Sequence, residues 1–323
     1  MNRKPDGYNL EGAILYNRII IGECRMDTIL NFAPTGMVLT KKMTPHVPVG
    51  LQEIIEEVHA AYEAGITIVH LHARDEETGE PTYRAEHYAR LIAGIRRWAE
   101  DLVICVSLSG RTFSDFEQRA APLSLEGDLK PDMASLTLSS LNFSQTASVN
   151  APEMVKRLAA TMLQVGIQPE LEVFDLGMIN YAKYLASKGL LKPPFYFNLM
   201  LGNIAGAQAD PLVAGLMIHD LPPGSTWSLA GIGDTQLSMN MLALACGGGV
   251  RVGLEDNIWF DRNRCRLASN TELLGRIRRI AEELERPVMQ PQDFRHLMHL
   301  EAGNGRYGRR AEMEYNESLQ KAP

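Results

Sequence analysis

One unit recurs along most of this chain: a short apolar, β-branched run, followed by a segment whose apolar residues fall three and four apart. The runs are Thr28 to Ala33, Thr67 to Leu71, Leu102 to Leu108, Met133 to Leu138, Glu170 to Phe174, Phe195 to Met200, Thr226 to Ala230 and Val250 to Leu254. The helical segments that follow them are Gln52 to Tyr62, the stretch holding Tyr88, Leu91, Ile92 and Ile95, Phe113 to Ala120, Pro152 to Val165, Ile179 to Lys188, Pro211 to Ile218, Gln236 to Cys246 and Thr271 to Leu284. Strands apolar on both faces belong in a parallel sheet covered by helices. The eight units in this sequence predict a closed (β/α)8 TIM barrel, with a doubly wound open sheet as the alternative. Both architectures put the functional site at the carboxyl ends of the strands. The expected organisation is a lead-in over residues 1–26 with a short strand or hairpin at Ile14 to Ile21, one barrel domain over 27–300, and a Gly-, Arg- and Glu-rich tail over 301–323.

The formal net charge of −7 argues against a nucleic-acid footprint and against attraction to a membrane surface. No apolar stretch is long enough for a membrane span, and the N-terminus carries no apolar leader-like region, so none is expected. The four cysteines, Cys24, Cys105, Cys246 and Cys265, form no C-x-x-C pair. Cys105 and Cys246 lie in apolar runs and read as buried thiols, which suits a reducing cytoplasm.

Polar residues gather where the strands stop. The second strand ends His70-Leu71-His72, and alternation along a strand puts both imidazoles on one side. Two such groups can grip one divalent ion, or simply hydrogen-bond at a strand end. The last strand runs Arg251-Val252-Gly253-Leu254-Glu255-Asp256, where Arg251 and Glu255 share parity. If Glu255 points into the barrel mouth, Arg251 points into the barrel below it and needs a partner there; Glu172 is the expected one. That pair can serve structure alone. The functional alternative is His70, His72 and Glu255 on one Zn²⁺, a His₂-carboxylate set with an open position, and Asp256, facing off the strand, as a base beside it. Thr35, Ser107, Ser140 and Asn142 sit at other strand ends as candidate substrate contacts, though Ser140 and Asn142 also suit caps, and Asp175 suits a helix N-cap.

Six stretches together are similar to one family: TKKMTPHVP (40–48), IVHLHARD (68–75), MASLTLSSLNF (133–143), ELEVFDLGMINY (170–181), LPPGSTWSLAGIG (221–233) and GGGVRVGLEDN (247–257). The chain resembles the β-keto acid cleavage enzymes, the group that includes 3-keto-5-aminohexanoate cleavage enzyme, from about residue 27 to 300. The resemblance implies a (β/α)8 barrel with one Zn²⁺ per subunit in a homo-oligomer, commonly a tetramer. It implies conversion of a β-keto acid and acetyl-CoA into acetoacetate and a new acyl-CoA. By position it implies His70, His72 and Glu255 as zinc ligands, Asp256 as the base that deprotonates the acetyl methyl group, Arg251 as its charged partner, and Ser107 and Ser140 as hydroxyls that hold the substrate.

Two positions depart from that pattern. Where the aminohexanoate enzyme carries a glutamate suited to an ammonium group, this chain has Val38, which predicts a substrate tail that is uncharged or apolar there. Where a basic residue follows Gly-x-Gly, this chain has Asp234, which predicts a more acidic rim. Arg111 is expected to be an exposed loop arginine, or else to grip an acidic tail. The rival readings are an amidohydrolase-like metal hydrolase and a non-catalytic small-molecule-binding barrel. No coenzyme A contact is legible; Gly231-Ile232-Gly233 before a helix is a weak anion signal.

Overall fold

Eight short parallel strands pair in sequence order and close on themselves, so no sheet edge is left open. They are β1 (Leu30–Phe32), β2 (Ile68–Leu71), β3 (Val103–Val106), β4 (Met133–Thr137), β5 (Gln168–Val173), β6 (Tyr196–Leu201), β7 (Thr226–Gly231) and β8 (Gly249–Val252). The seam is β8 against β1, with Arg251 opposite Asn31. The computed structural model describes residues 27–309. The lead-in, with its expected element at Ile14 to Ile21, and residues 310–323 of the tail lie outside the described residues.

The helices between strands are α1 (Leu51–Glu63), α2 (Ala85–Arg96), α3 (Phe116–Ala120), α4 (Pro152–Val165), α5 (Leu176–Ser187), α6 (Pro211–Asp220) and α7 (Gln236–Ala245); α8 (Asn270–Glu283) follows β8. Their apolar stripes pack on the outward side chains of the strands: Ile54 and Val58 of α1, Leu91, Ile92 and Ile95 of α2, and Leu158 and Met162 of α4 are all buried in one continuous core. Asp175 caps α5 through the Met178 amide (3.0 Å), so that helix begins earlier than apolar spacing alone indicates.

A ninth helix, α9 (Pro291–Met298), has no counterpart among the predicted units. It closes the amino-terminal end of the barrel. Phe294 and Met298 join Ile29, Ile68, Val103, Met133 and Tyr196 in a second buried cluster, with Phe294 edge-on to Tyr196. Arg295 fixes the plug by binding Asp132 through both guanidinium amines (2.7 and 2.9 Å) and the carbonyls of Asp101 and Leu102. Residues 301–309 of the predicted tail turn back on the same end, where the Gly308 amide donates to Asp132.

Cys105 is buried as expected, but Cys246 is exposed. Leu244 and Ala243 take the inward positions at the end of α7, so the helical turn carries Ala245 and Cys246 outward.

Candidate active site

β2 delivers His70 from its last turn of pleat and His72 from just beyond its end, so both rings point the same way and both are buried. Their Nε2 atoms are 3.2 Å apart, and His72 Nε2 is 3.1 Å from Glu255 Oε1. Around a tetrahedral zinc with bonds near 2.0–2.1 Å, neighbouring donor atoms stand roughly 3.3 Å apart. The spacing of the three residues therefore suits one ion. Glu255 Oε2 is buried without a hydrogen-bond partner, as a carboxylate oxygen reserved for a ligand should be. The donor set fits a divalent metal: two imidazoles stand beside Glu255, which stays well below the ordinary carboxylate range despite its burial, with the Arg251 guanidinium against it. Burial pushes His72 down, toward the neutral form that ligation requires.

Glu255 does not lie on the strand itself. β8 stops at Val252 because Gly253 takes φ +152°, where a Cβ would stand 2.0 Å from the Ala33 carbonyl oxygen. Simple parity therefore ends at Val252. The turn that follows brings in both Glu255 and Asp256, so the expectation that Asp256 faces off the strand is corrected: it is buried and turned toward the barrel. Gly36, at φ +69°, makes room for Glu255, whose Cγ would be 2.6 Å from a Cβ there.

Arg251 sits beneath this turn, fully buried among three carboxylates. Its Nε donates to Asp256 Oδ2 (3.0 Å), its Nη2 is 2.9 Å from Glu255 Oε1, and its Nη1 is 3.7 Å from Glu172 Oε1. The expected Glu172 pairing exists, but it is the longest of the three. Glu172 instead accepts from Thr137 Oγ1 at 2.7 Å. Burial raises the carboxyls of both Glu172 and Asp256 above their ordinary values despite Arg251.

Glu170 is the residue that sequence reasoning missed. It shares a face of β5 with Glu172, and that shared parity was the available signal. Its Oε2 is 2.6 Å from His70 Nδ1, and its Oε1 accepts from Asn31 (2.8 Å) and Asn198 (2.7 Å). Burial alone pushes this carboxyl up; His70, Arg251 and the Asn31 amide outweigh it and hold it at about 2. The Cys105 thiol, pushed well up by burial, lies 3.3 Å from Glu170 Oε2 and stays protonated. A second triad of possible ligands, His70, Cys105 and Glu170, is thus already spent on internal hydrogen bonds. Glu170 instead orients His70, leaving Nε2 to face the place an ion would take.

The other predicted contacts are spread around the mouth. Ser107 is buried at the end of β3, with its hydroxyl accepting from the Ser109 amide. The Ser140 hydroxyl accepts from the Asn150 amide (2.8 Å), and Asn142 is exposed on a short hairpin. Thr35 is buried and donates to the Pro48 carbonyl. Val38 is 47% exposed on the loop after β1. Asp234 does not leave a bare negative rim, because Arg264 forks onto both its oxygens (Nε 3.0 Å, Nη2 2.9 Å). Arg111 is half-buried rather than exposed, stacked 3.5 Å above the Phe143 ring.

A family model described as beta-keto acid cleavage enzyme matches residues 27–300. The 3-keto-5-aminohexanoate cleavage enzyme of Fusobacterium nucleatum is 37% identical over 273 residues, covering 84% of this chain and 97% of that one. The 3-oxoadipate:acetyl-CoA acetyltransferase of Cupriavidus necator is 37% identical over 276 residues, covering 84% and 94%. Among solved structures, apo ObcA superposes with a TM-score of 0.70 at 21% identity, which speaks for the fold; the match covers 79% of this chain and 65% of that one, just under two thirds of its length.

Proposed function

The chain belongs to the beta-keto acid cleavage enzyme family, and on that premise we propose that it transfers an acyl group between a β-keto acid and acetyl-CoA, yielding acetoacetate and a new acyl-CoA. The observation that carries the reading is the convergence of His70, His72 and Glu255 within reach of one ion, with the Asp256 carboxylate tied to the same guanidinium as Glu255. Two relatives of equal identity, named for different keto acids, share the β-keto acid head and differ in the tail, which supports a common reaction at a common centre.

In this reading His70, His72 and Glu255 hold Zn²⁺, which when bound supplies Lewis-acid polarisation of the substrate ketone. Asp256 removes a proton from C2 of the β-keto acid, between ketone and carboxylate, rather than from the acetyl methyl group, whose addition to the ketone could not lead to acetoacetate. Arg251 occupies Asp256 Oδ2, which leaves Oδ1 to take the proton. Arg251 fixes the direction of that carboxylate, so positioning carries the proton transfer. The resulting carbanion adds to the thioester carbonyl of acetyl-CoA, the CoA thiolate passes from that carbon to the neighbouring ketone carbon, and cleavage of the substrate C2–C3 bond releases the acyl-CoA and the acetoacetate carbanion, which takes the proton back. Glu172, gripped by Thr137, keeps Arg251 from collapsing wholly onto the other two carboxylates. Ser107 and Ser140 offer hydroxyls to the substrate, with Asn142 and Thr35 shaping the loops around it.

We place this enzyme in the cytoplasm as a homo-oligomer, with a tetramer favoured. The free thiols of Cys105, Cys246 and Cys265 suit a reducing compartment. No helix among the described residues is long and apolar enough to cross a membrane. The exposed Leu212 and Leu216 of α6, and the exposed Ile204 of the loop before it, suit a subunit contact. The test is a panel of β-keto acids incubated with acetyl-CoA, read by acetoacetate release alongside metal analysis. Acetoacetate formed by a zinc-bearing protein upholds the proposal, and simple hydrolysis of the acid without CoA dependence overturns it.

A further inference from the structure

We infer that Arg111 and Phe143 form an anchor for a second carboxylate, so that the keto acid preferred by this site is dicarboxylic. This deepens the cleavage reading above and rests on it.

Arg111 closes the run Ser107-Leu108-Ser109-Gly110-Arg111 that leads from β3 into the mouth, and its amide is pinned to Ser109 Oγ (3.3 Å). Its guanidinium carbon lies over Phe143, 3.5 Å from the ring centroid. Phe143 is itself fixed: Phe174 packs edge-on against it (5.9 Å, 90°), and its amide bonds the Thr146 carbonyl (2.8 Å). The stacked fork has therefore lost its freedom before any ligand arrives.

Three other arginines are spent. Arg264 clasps Asp234, Arg266 pairs with Glu272, and Arg119 binds the Leu108 carbonyl and Asn150. Arg111 has a ring beneath it, but among the described residues no carboxylate forms an ion pair with its guanidinium. It is half-buried, and the loop from β3 together with the ring of Phe143, packed on Phe174 just past β5, holds it at the carboxyl end of the barrel, the end at which Glu172, Glu255 and Asp256 also lie. A planar fork in that position matches a carboxylate bidentately. The surrounding acids sharpen the choice. They repel a second negative charge on the substrate wherever no cation meets it, so removing Arg111 penalises a diacid and spares a monoacid.

The phosphates of coenzyme A are the other source of anionic oxygens, and the experiment separates the two. Steady-state kinetics compare 3-oxohexanedioate with 3-oxohexanoate in wild type, Arg111→Met and Arg111→Lys. Wild type is expected to favour the diacid. Arg111→Met should cut kcat/KM for the diacid about 10- to 100-fold while the monoacid stays within about twofold, with KM for acetyl-CoA unchanged and melting unaltered. Arg111→Lys, which keeps the charge and loses the fork, should fall between. An equal loss for both acids, or a loss residing in KM for acetyl-CoA, overturns the inference. Binding of adipate and hexanoate, measured by calorimetry, needs no turnover. Tighter adipate binding that disappears in Arg111→Met upholds the anchor even if no keto acid is cleaved, which would bring down the cleavage reading alone. Adipate binding no tighter than hexanoate overturns the anchor itself.

Discussion

Glu170 Oε2 lies 2.6 Å from His70 Nδ1, in a layer where Asn31 and Asn198 hold the other carboxylate oxygen. With Nδ1 donating to Glu170, His70 has one tautomer and one ring orientation, and Nε2 is free to ligate. Glu170→Gln keeps the shape and removes the charge. It should weaken metal affinity about 10- to 100-fold, read by competition with a chelator, without loss of the fold. Unchanged affinity would show that His70 is oriented by its packing alone.

Gly253 is a second point of control. A Cβ at φ +152° meets the Ala33 carbonyl, and the turn it permits carries both Glu255 and Asp256. Gly253→Ala should cost about 1–3 kcal/mol or more in stability and weaken metal binding with it. Gly65, also at positive φ but with open space around it, is the control: Gly65→Ala should cost about 1 kcal/mol and leave the metal in place. Wild-type melting and metal content in Gly253→Ala would refute this account of the turn.

The barrel and the approximate position of each of its strands are legible in the sequence, because runs such as Ile68-Val69 and Val103-Ile104 are apolar on both faces. The residues that converge on the candidate metal position are legible by type, since two histidines and a carboxylate at strand ends have few structural uses. What escapes is what depends on tertiary turns and sequence-distant partners. Alternation extrapolated through Gly253 sends Asp256 the wrong way. Glu170 hides in an apolar run beside Glu172. The α9 plug is short, and its function is visible only once Phe294 meets Tyr196 inside the barrel. Arg111 reads as a loop arginine until Phe143 is found beneath it.

Stability at low pH should track Asp132, far from the site. Burial alone would raise this carboxyl, but Arg295 and Arg96 hold it below its ordinary value of 3.8. A carboxyl depressed on folding adds stability that is complete above its unfolded pKa and is lost as the pH falls through the folded value. Asp132→Asn should therefore lower stability at neutral pH by about 3–5 kcal/mol and flatten the loss below roughly pH 4. Denaturant melts across pH check this; a mutant with an unchanged acid limb contradicts it.

Val38 leaves the loop after β1 without a charge. Wild type should show no preference for a 5-ammonium β-keto acid over its uncharged analogue. Val38→Glu should gain about two- to fivefold in relative kcat/KM for the ammonium compound, a small effect because the position is half open to water. A wild-type preference for the ammonium substrate would contradict the role given to Val38.

The most direct test of the catalytic centre is turnover of Asp256→Asn measured on protein whose metal content is known. One ion per chain, with turnover of acetyl-CoA and β-keto acid reduced about 10²- to 10⁴-fold, is the predicted result, since the base is lost while His70, His72 and Glu255 remain. Turnover near wild type on metal-loaded Asp256→Asn would contradict the assignment of Asp256 as the base.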